Sequence, residues 1–497
     1  MRTTEVFIGA LCLIAPQPVS AEERTNVVWI IVEDMSADFG CYGQSTVKTP
    51  NVDRLAKEGV KFTNAIVTCP VCSPARSALI TGMYQTSIGA HQHRSGRGRL
   101  SISLPKEIVP VPELFRKAGY LTQNLSVQEF LHEPVDENRK SKTAKTDYNF
   151  HYVDNYTRNH WRNRPKAQPF FIQIQLKGGK LRGTGITKRW PQKVKKDLGS
   201  ITSPASVKLP PYLPNDKVIR QDRAQYLDAV RYTDWEVGRI VNRLKETREL
   251  DNTYIFFITD HGISHVRNKQ FLYEGGVHIP LIIRGPNIRP SVRKDPVVHI
   301  DLAATSLGLT GLKIPKWMQS QNILAKDYQP RKVVFSARDR CDETVDRIRC
   351  ARTQRYKYIR NFYPKRPYLQ PNAYKDNKPI LQAMRRLHKA GKLNQAQSLI
   401  MASSRPKEEL YDLASDPYEL RNLSSDPKHS QILTRLRKEL DQWIVRSGDQ
   451  GVKPESTAMY DSDMAVYLQR LKKRNPGRLK EIQRNIATMK KWAAEGK

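Results

Sequence analysis

Val27-Val28-Trp29-Ile30-Ile31-Val32, followed at once by Glu33-Asp34, is the stretch that decides the fold. A short unbroken apolar run reads as a strand covered on both faces, the pattern of a parallel sheet. The design recurs at 254–259, which runs into Asp260-His261-Gly262, and a third apolar strand is expected at 279–284. Between them the spacing predicts short helices over 51–59 and 111–118, and a strand over 169–175 after the polar, basic stretch 132–168. A long helix is expected over 221–249, with Tyr226, Val230, Val237, Ile240 and Leu244 on one side. This alternation predicts an α/β domain with a mainly parallel sheet flanked by helices. Acidic residues at the carboxyl ends of such strands converge on the crevice where open α/β sheets bind ligands, and oxygen donors there suit a hard cation.

Working outward, residues 1–21 read as an export signal: Arg2, an apolar run over 6–16, and the small-residue pattern Val19-Ser20-Ala21 before Glu22-Glu23. That run is too short to span a bilayer, and no transmembrane segment is expected later. The expectation is an exported protein, periplasmic or secreted. The catalytic domain is expected over 22–332. From 333 the composition shifts to short strands, such as 355–360, and then a helix over 429–447, predicting a smaller C-terminal α+β subdomain over 333–454. Residues 455–497 form a basic helical tail, read first as a solvated surface helix and second as a polyanion contact.

The chain has 84 Lys and Arg against 49 Asp and Glu, a formal charge of +35. A surface so basic concentrates polyanions, and for an exported protein a sulfated glycan stands ahead of nucleic acid, which is not expected as a partner. Loss of Cys12 with the signal leaves an odd number of cysteines in the mature chain. Cys341 and Cys350 are candidates for a small disulfide in an oxidising compartment.

The stretch with most chemistry is Cys72-Ser73-Pro74-Ala75-Arg76, continuing Ser77-Ala78-Leu79-Ile80-Thr81-Gly82. Pro74 suits the first turn of a helix, so Cys72 lies just ahead of a helix N-terminus, where free amides favour an anion and an ionised nucleophile. Arg76 can set its fixed cation against the substrate oxygens. The stretch resembles the signature of the sulfatases, formylglycine-dependent members of the alkaline-phosphatase superfamily, and Glu33-Asp34 and Asp260-His261 follow the family order.

The resemblance implies an alkaline-phosphatase-like fold, a formylglycine formed from Cys72 by a maturation enzyme, and one calcium ion. Glu33, Asp34, Cys72, Asp260 and His261 stand at the metal positions. The family usually has Asp where Glu33 stands, so Glu33 is either a ligand or one step back from the ion. The family's fourth ligand is commonly Asn, so His261 binds the metal, contacts substrate or selects another cation. Lys269, in Lys269-Gln270-Phe271-Leu272-Tyr273-Glu274-Gly275-Gly276, matches the family lysine that binds the sulfate group.

Two family positions lack their usual residues. In place of Lys-x-His the chain offers Lys145, in Lys145-Thr146-Asp147-Tyr148, with Lys142 competing. In place of the histidine that protonates the leaving group it offers Lys180, in Lys177-Gly178-Gly179-Lys180. His91 and His93 either line the pocket or are structural, and Arg338 and Asp339 either meet substrate or belong to a salt-bridged loop. The run from Glu408-Glu409-Leu410-Tyr411-Asp412-Leu413 to Asp416-Pro417-Tyr418-Glu419-Leu420-Arg421-Asn422-Leu423 resembles the closing segment of sulfatases, and the pattern is closest to the heparan N-sulfatase (sulfamidase) branch and its bacterial relatives. The implied function is hydrolysis of sulfate esters or N-sulfate on a sulfated polysaccharide or its oligosaccharides. The alternatives are a phosphodiesterase or phosphonate monoester hydrolase of the same superfamily, and a weakly active or inactive sulfatase fold that binds polyanionic glycans.

Overall fold

A computed structural model describes residues 24–133, 144–151, 156–157, 160–182 and 189–497. The expected leader over 1–21 and Lys142 lie outside the described residues.

The large sheet contains β1 (Asn26–Val32), β2 (Val60–Ile66), β3 (Leu121–Ser126), β4 (Phe170–Leu176), β5 (Thr253–Thr259), β6 (His278–Arg284), β7 (Ser291–Arg293) and β8 (Val297–Val298). They run in the order β3-β4-β1-β5-β6-β2-β7, with β8 also on β2. Only β6 opposes its neighbours, so the sheet is mainly parallel. Every residue of β1, β4 and β5 is buried, because helices cover both faces. Trp29, Phe171 and Phe256 point into one apolar cluster, and Val28, Ile172 and Phe257 into the other. The helix Lys217–Glu246 lays Tyr226, Val230, Val237, Ile240 and Leu244 against the second cluster.

Four antiparallel strands form a second sheet: β9 (Val334–Arg338), β10 (Ile348–Arg352), β11 (Tyr356–Asn361) and β12 (Glu408–Asp412), in the order β12-β11-β10-β9. The helix Ser430–Ser447 packs on it through Leu433, Leu436, Leu440 and Trp443. Cys341 and Cys350 are both free thiols, contrary to the expected disulfide. Cys350 lies inside β10 opposite Ser336, whereas Cys341 turns past the end of β9 to meet Cys69 and Val71.

The basic tail also departs from expectation. It forms two helices, Thr457–Arg474 and Leu479–Ala494, and Tyr460, Met464 and Met489 make a buried cluster with Tyr467, Ile486 and Trp492 packed against it. Arg340 ties it down with a two-pronged bond to Glu455 at 2.7 and 2.9 Å and a bond to Asp463 at 2.5 Å. Among the described residues, no helix is long and apolar enough to cross a membrane.

Candidate active site

Neighbouring parallel strands end at one level, and the crevice lies above the carboxyl ends of β4, β1 and β5. Glu33 and Asp34 leave β1, and Asp260 and His261 leave β5. Asp34 takes a positive φ of 52°, sparsely populated for a residue with a side chain. Its N–H donates to Asp260 Oδ1 at 3.0 Å, which locks the two strand ends together.

The loop after β4 reaches the same point because Gly178 and Gly179 have no side chains. A Cβ on Gly179 would stand 2.0 Å from the carbonyl oxygen of Asp34, and one on Gly178 would stand 2.3 Å from Val32 Cγ1. The close approach that only glycine permits brings Lys180 onto Glu33 Oε2 and to 3.8 Å from Cys72 Sγ.

Cys72 is the first residue of the helix Cys72–Thr81, which is buried throughout and ends at Gly82 with φ 67°. His261 Nε2 is 3.1 Å from its sulfur, Lys269 Nζ 3.2 Å and Asp34 Oδ1 3.8 Å. One turn on, Arg76 bonds Asp260 Oδ2 through Nε at 3.2 Å and the Gln175 side chain at 2.7 Å. Gln175 donates to Asn124 at 2.9 Å, and Asn124 donates to the carbonyl of Ala144 at 3.1 Å. This relay seats the segment whose Lys145 bonds Glu33 at 2.6 Å. Lys269 bonds both oxygens of Asp34 at 3.0 Å.

The electrostatics follow from that packing. Burial raises the Cys72 thiol pKa, but the cations of Lys145, Lys180, Lys269 and His261 outweigh it and bring it to about 6. Burial likewise opposes ionisation of Asp34, yet Lys269 and Lys180 hold it well below the usual carboxylate range. Burial disfavours the Lys269 cation, and Asp34 and Cys72 more than restore it.

Donor atoms of Asp34, Cys72, Asp260 and His261 all lie within 4.8 Å of one another. His261 Nδ1 faces the Gly262 carbonyl at 2.8 Å, which fixes the ring with Nε2 turned toward the two carboxylates, each at 3.5 Å. Two buried carboxylates and an oriented imidazole fit a divalent cation. Glu33 stands outside that group, with its Oε2 engaged by both Lys145 and Lys180.

The other sequence candidates are dispersed. His93 is buried beside the cluster, its Nδ1 2.7 Å from Ser73 Oγ. His91 is buried, and its pKa is pushed to about 4, first by burial and then by Arg349. Arg338 pairs with Asp346, and Asp339, whose pKa burial raises to about 7, accepts from Arg349 at 3.0 Å, so both side chains are taken up in buried contacts. The sequence reading missed Tyr374, in the short helix Ala373–Asp376. Its hydroxyl reaches Asp34 Oδ2 at 3.3 Å and Ser264 Oγ at 2.9 Å, and Lys269 lies over its ring. It missed Gln175 and Asn124 as well, polar residues buried within β4 and β3.

These features make a candidate hydrolase site, with donors that fit a divalent cation, on an alkaline-phosphatase-like fold. The model of the sulfatase family matches residues 25–312, and that of the C-terminal region of N-sulphoglucosamine sulphohydrolase matches residues 261–378. An ulvan-active sulfatase of Formosa agariphila is 34% identical over 87% of this chain and 77% of its own length. Human N-sulphoglucosamine sulphohydrolase is 24% identical over 85% of this chain and 90% of its own. A phosphonate monoester hydrolase structure from Silicibacter pomeroyi superposes with a TM-score of 0.56 at 19% identity, covering 86% of this chain and 96% of that one, and shows the shared fold. The chain belongs to the sulfatase family and is a sulfuric ester hydrolase.

Proposed function

We propose that this sulfatase removes sulfate, as ester or N-sulfate, from a sulfated polysaccharide or its oligosaccharides, working outside the cytoplasm after export. The observation that carries this is Cys72 at a helix N-terminus, 3.1–3.8 Å from His261, Lys269 and Asp34. The names of the Formosa agariphila and human relatives support a glycan as the substrate, and so does the charge of +35.

A maturation enzyme converts Cys72 to formylglycine, whose hydrate supplies an oxygen nucleophile and a second hydroxyl through which sulfate is released. Asp34, Asp260 and His261 would hold a calcium ion, which would supply polarisation of the sulfate oxygens when bound. Arg76 and Lys269 bind and orient the sulfate group with fixed charge, and Lys269 keeps Asp34 ionised. Lys180 stands on the loop where the family places its proton donor and delivers a proton to the departing oxygen or nitrogen. Lys145 holds Glu33, and the Tyr374 hydroxyl bonds Asp34 Oδ2.

The test is turnover of an aryl sulfate against an aryl phosphodiester by protein whose residue-72 peptide has the aldehyde mass. Preference for the sulfate supports the proposal, and preference for the diester moves the chain to the phosphonate monoester hydrolase reading. Heparin binding that survives Cys72→Ala, with no turnover by matured protein, would instead identify a binding module.

A further inference from the structure

The tail lies beyond both family matches, yet it is built into a wall beside the reaction centre. Leu100 N–H donates to Ser462 Oγ at 3.0 Å, Gly96 N–H donates to Asp463 Oδ1 at 3.0 Å, and the Tyr460 hydroxyl donates to the Glu343 carbonyl at 2.8 Å. A Cβ on Gly98 would meet the Ser462 carbonyl oxygen at 2.5 Å. The tail thus clamps the loop that carries His93, Arg94 and Arg97 and the turn that carries Asp342.

Between them lies a cavity of about 270 Å³, lined by His93, Arg94, Asp342, Tyr467, Arg470 and Leu471 among others. It shares a wall with the catalytic cluster. The hydroxyl of Ser73, next to Cys72, accepts from Arg94 N–H at 2.9 Å and stands 2.7 Å from His93 Nδ1. From the other side Asp147 joins Lys145, at 3.6 Å, to Arg97 at 2.9 Å and Arg94 at 3.9 Å.

The Asp342 side chain is only 9% exposed, and its nearest donors, the neutral His93 ring at Nε2 and the Arg94 guanidinium, stand at 3.7 and 3.9 Å, beyond hydrogen-bond length. Its backbone is held at φ 51°, a conformation a residue with a side chain adopts at a cost. With Ser73 donating to Nδ1, His93 presents an Nε2–H to the gap. The Arg94 side chain is 48% exposed. A carboxylate acceptor and an imidazole N–H side by side, an available guanidinium and a phenol ring are the groups that recognise a polar ring with an anionic substituent.

We infer that this cavity is a second sugar subsite, which holds the acidic ring adjoining the one that bears the scissile sulfate. Asp342 and His93 take ring hydroxyls, Arg94 takes a carboxylate or sulfate, and Tyr467 lies along the ring. The tail helix is therefore part of substrate recognition. The inference rests on the glycan sulfatase reading and deepens it: the substrate is a chain of at least two sugars.

The test uses full-length, matured protein and the variants Asp342→Asn, Tyr467→Ala and Tyr467→Phe. Asn tolerates the left-handed backbone at 342. Substrates are tetrasaccharides from heparin, chondroitin sulfate and ulvan, with 4-nitrophenyl sulfate as the short comparator. On the tetrasaccharide that the wild type desulfates fastest, Asp342→Asn and Tyr467→Ala should lose about 10–100-fold in kcat/KM, mainly through KM. Their kcat/KM on 4-nitrophenyl sulfate should stay within about twofold, and Tyr467→Phe should retain the tetrasaccharide rate. Parallel losses on both substrates, no loss on the tetrasaccharide, or a wild type that cleaves 4-nitrophenyl sulfate but no tetrasaccharide would each overturn the subsite alone. A matured wild type inactive on every sulfate would bring down the sulfatase reading and the subsite with it.

Discussion

Replacing Lys180 by alanine should slow the enzyme in proportion to how badly the leaving group needs a proton. A sugar alkoxide departs with high basicity and depends on a positioned acid, a contribution of about 10²–10⁴-fold, whereas a nitrophenolate leaves readily without one. The structure indicates that the variant will fold. The Lys180 side chain is 34% exposed, Glu33 keeps Lys145 at 2.6 Å, and Asp34 keeps Lys269 at 3.0 Å, so neither carboxylate loses its last cation. The expected loss is therefore about 10²–10³-fold in kcat on a sugar sulfate and under about tenfold on 4-nitrophenyl sulfate. The assay is a series of aryl and alkyl sulfates of rising leaving-group pKa, run on wild type and Lys180→Ala with circular dichroism as a fold control. The variant's plot of log kcat against that pKa should be the steeper. A uniform drop across the series would refute the proton-donor role and leave Lys180 as general electrostatic support.

Cys72→Ala should abolish turnover of every sulfate at unchanged secondary structure, and mass spectrometry of the wild-type peptide should show the aldehyde; an unmodified thiol in active protein would refute this. Lys269 competes with any cation for both oxygens of Asp34 at 3.0 Å. Lys269→Met should therefore tighten calcium binding roughly tenfold or more in a thermal-shift titration while cutting kcat about 10²–10³-fold, and weaker calcium binding would contradict it. Glu236 is buried with Oε2 lacking a hydrogen-bond partner among the described residues, and burial raises its pKa to about 8. The folded state holds that proton more tightly than the unfolded chain, so the stability is present below about pH 4.5 and is lost as pH rises through about 8. Glu236→Gln should match wild type near pH 5 and, on the order of a few kcal/mol, exceed it above pH 8 in thermal melts; equal melting temperatures there would refute the assignment.

The fold was legible where burial on both faces wrote itself into the sequence. β1, β4 and β5 are unbroken apolar runs because helices cover both sides, and the acids closing β1 and β5 stand out against them. The supports of the site were not legible. Asn124 and Gln175 are polar residues among others in their strands, and their function exists only once β3 and β4 pair; Tyr374 reaches Asp34 across 340 residues of sequence. The tail was misread despite a signal: Tyr460, Met464, Tyr467 and Leu471 repeat at helical spacing and form its inward face. Its lysines and arginines drew attention to solvent, but long basic side chains occupy an outer face without saying what the other face covers. The disulfide expectation failed because separation along the chain says nothing about direction, and a strand interior and a turn beyond its neighbour point their thiols apart.

Lysine at position 180, where the family resemblance implies a histidine, has a consequence for the whole charge balance. Arg76, Lys145, Lys180 and Lys269 each pair with Glu33, Asp34 or Asp260, so the carboxylates are compensated before any cation or substrate arrives. A histidine would be neutral over much of the working pH range and would leave that compensation to the metal. A permanently charged ammonium keeps the crevice folded in its working shape and attractive to an anion in either state, which favours binding of a sulfated polymer under varied conditions. Its cost is in proton transfer, because a stabilised ammonium gives up its proton reluctantly to anything but a strong base. A sugar alkoxide is such a base and an arylsulfate's phenolate is not, so the proton-donor role proposed for Lys180 predicts a bias toward saccharide leaving groups.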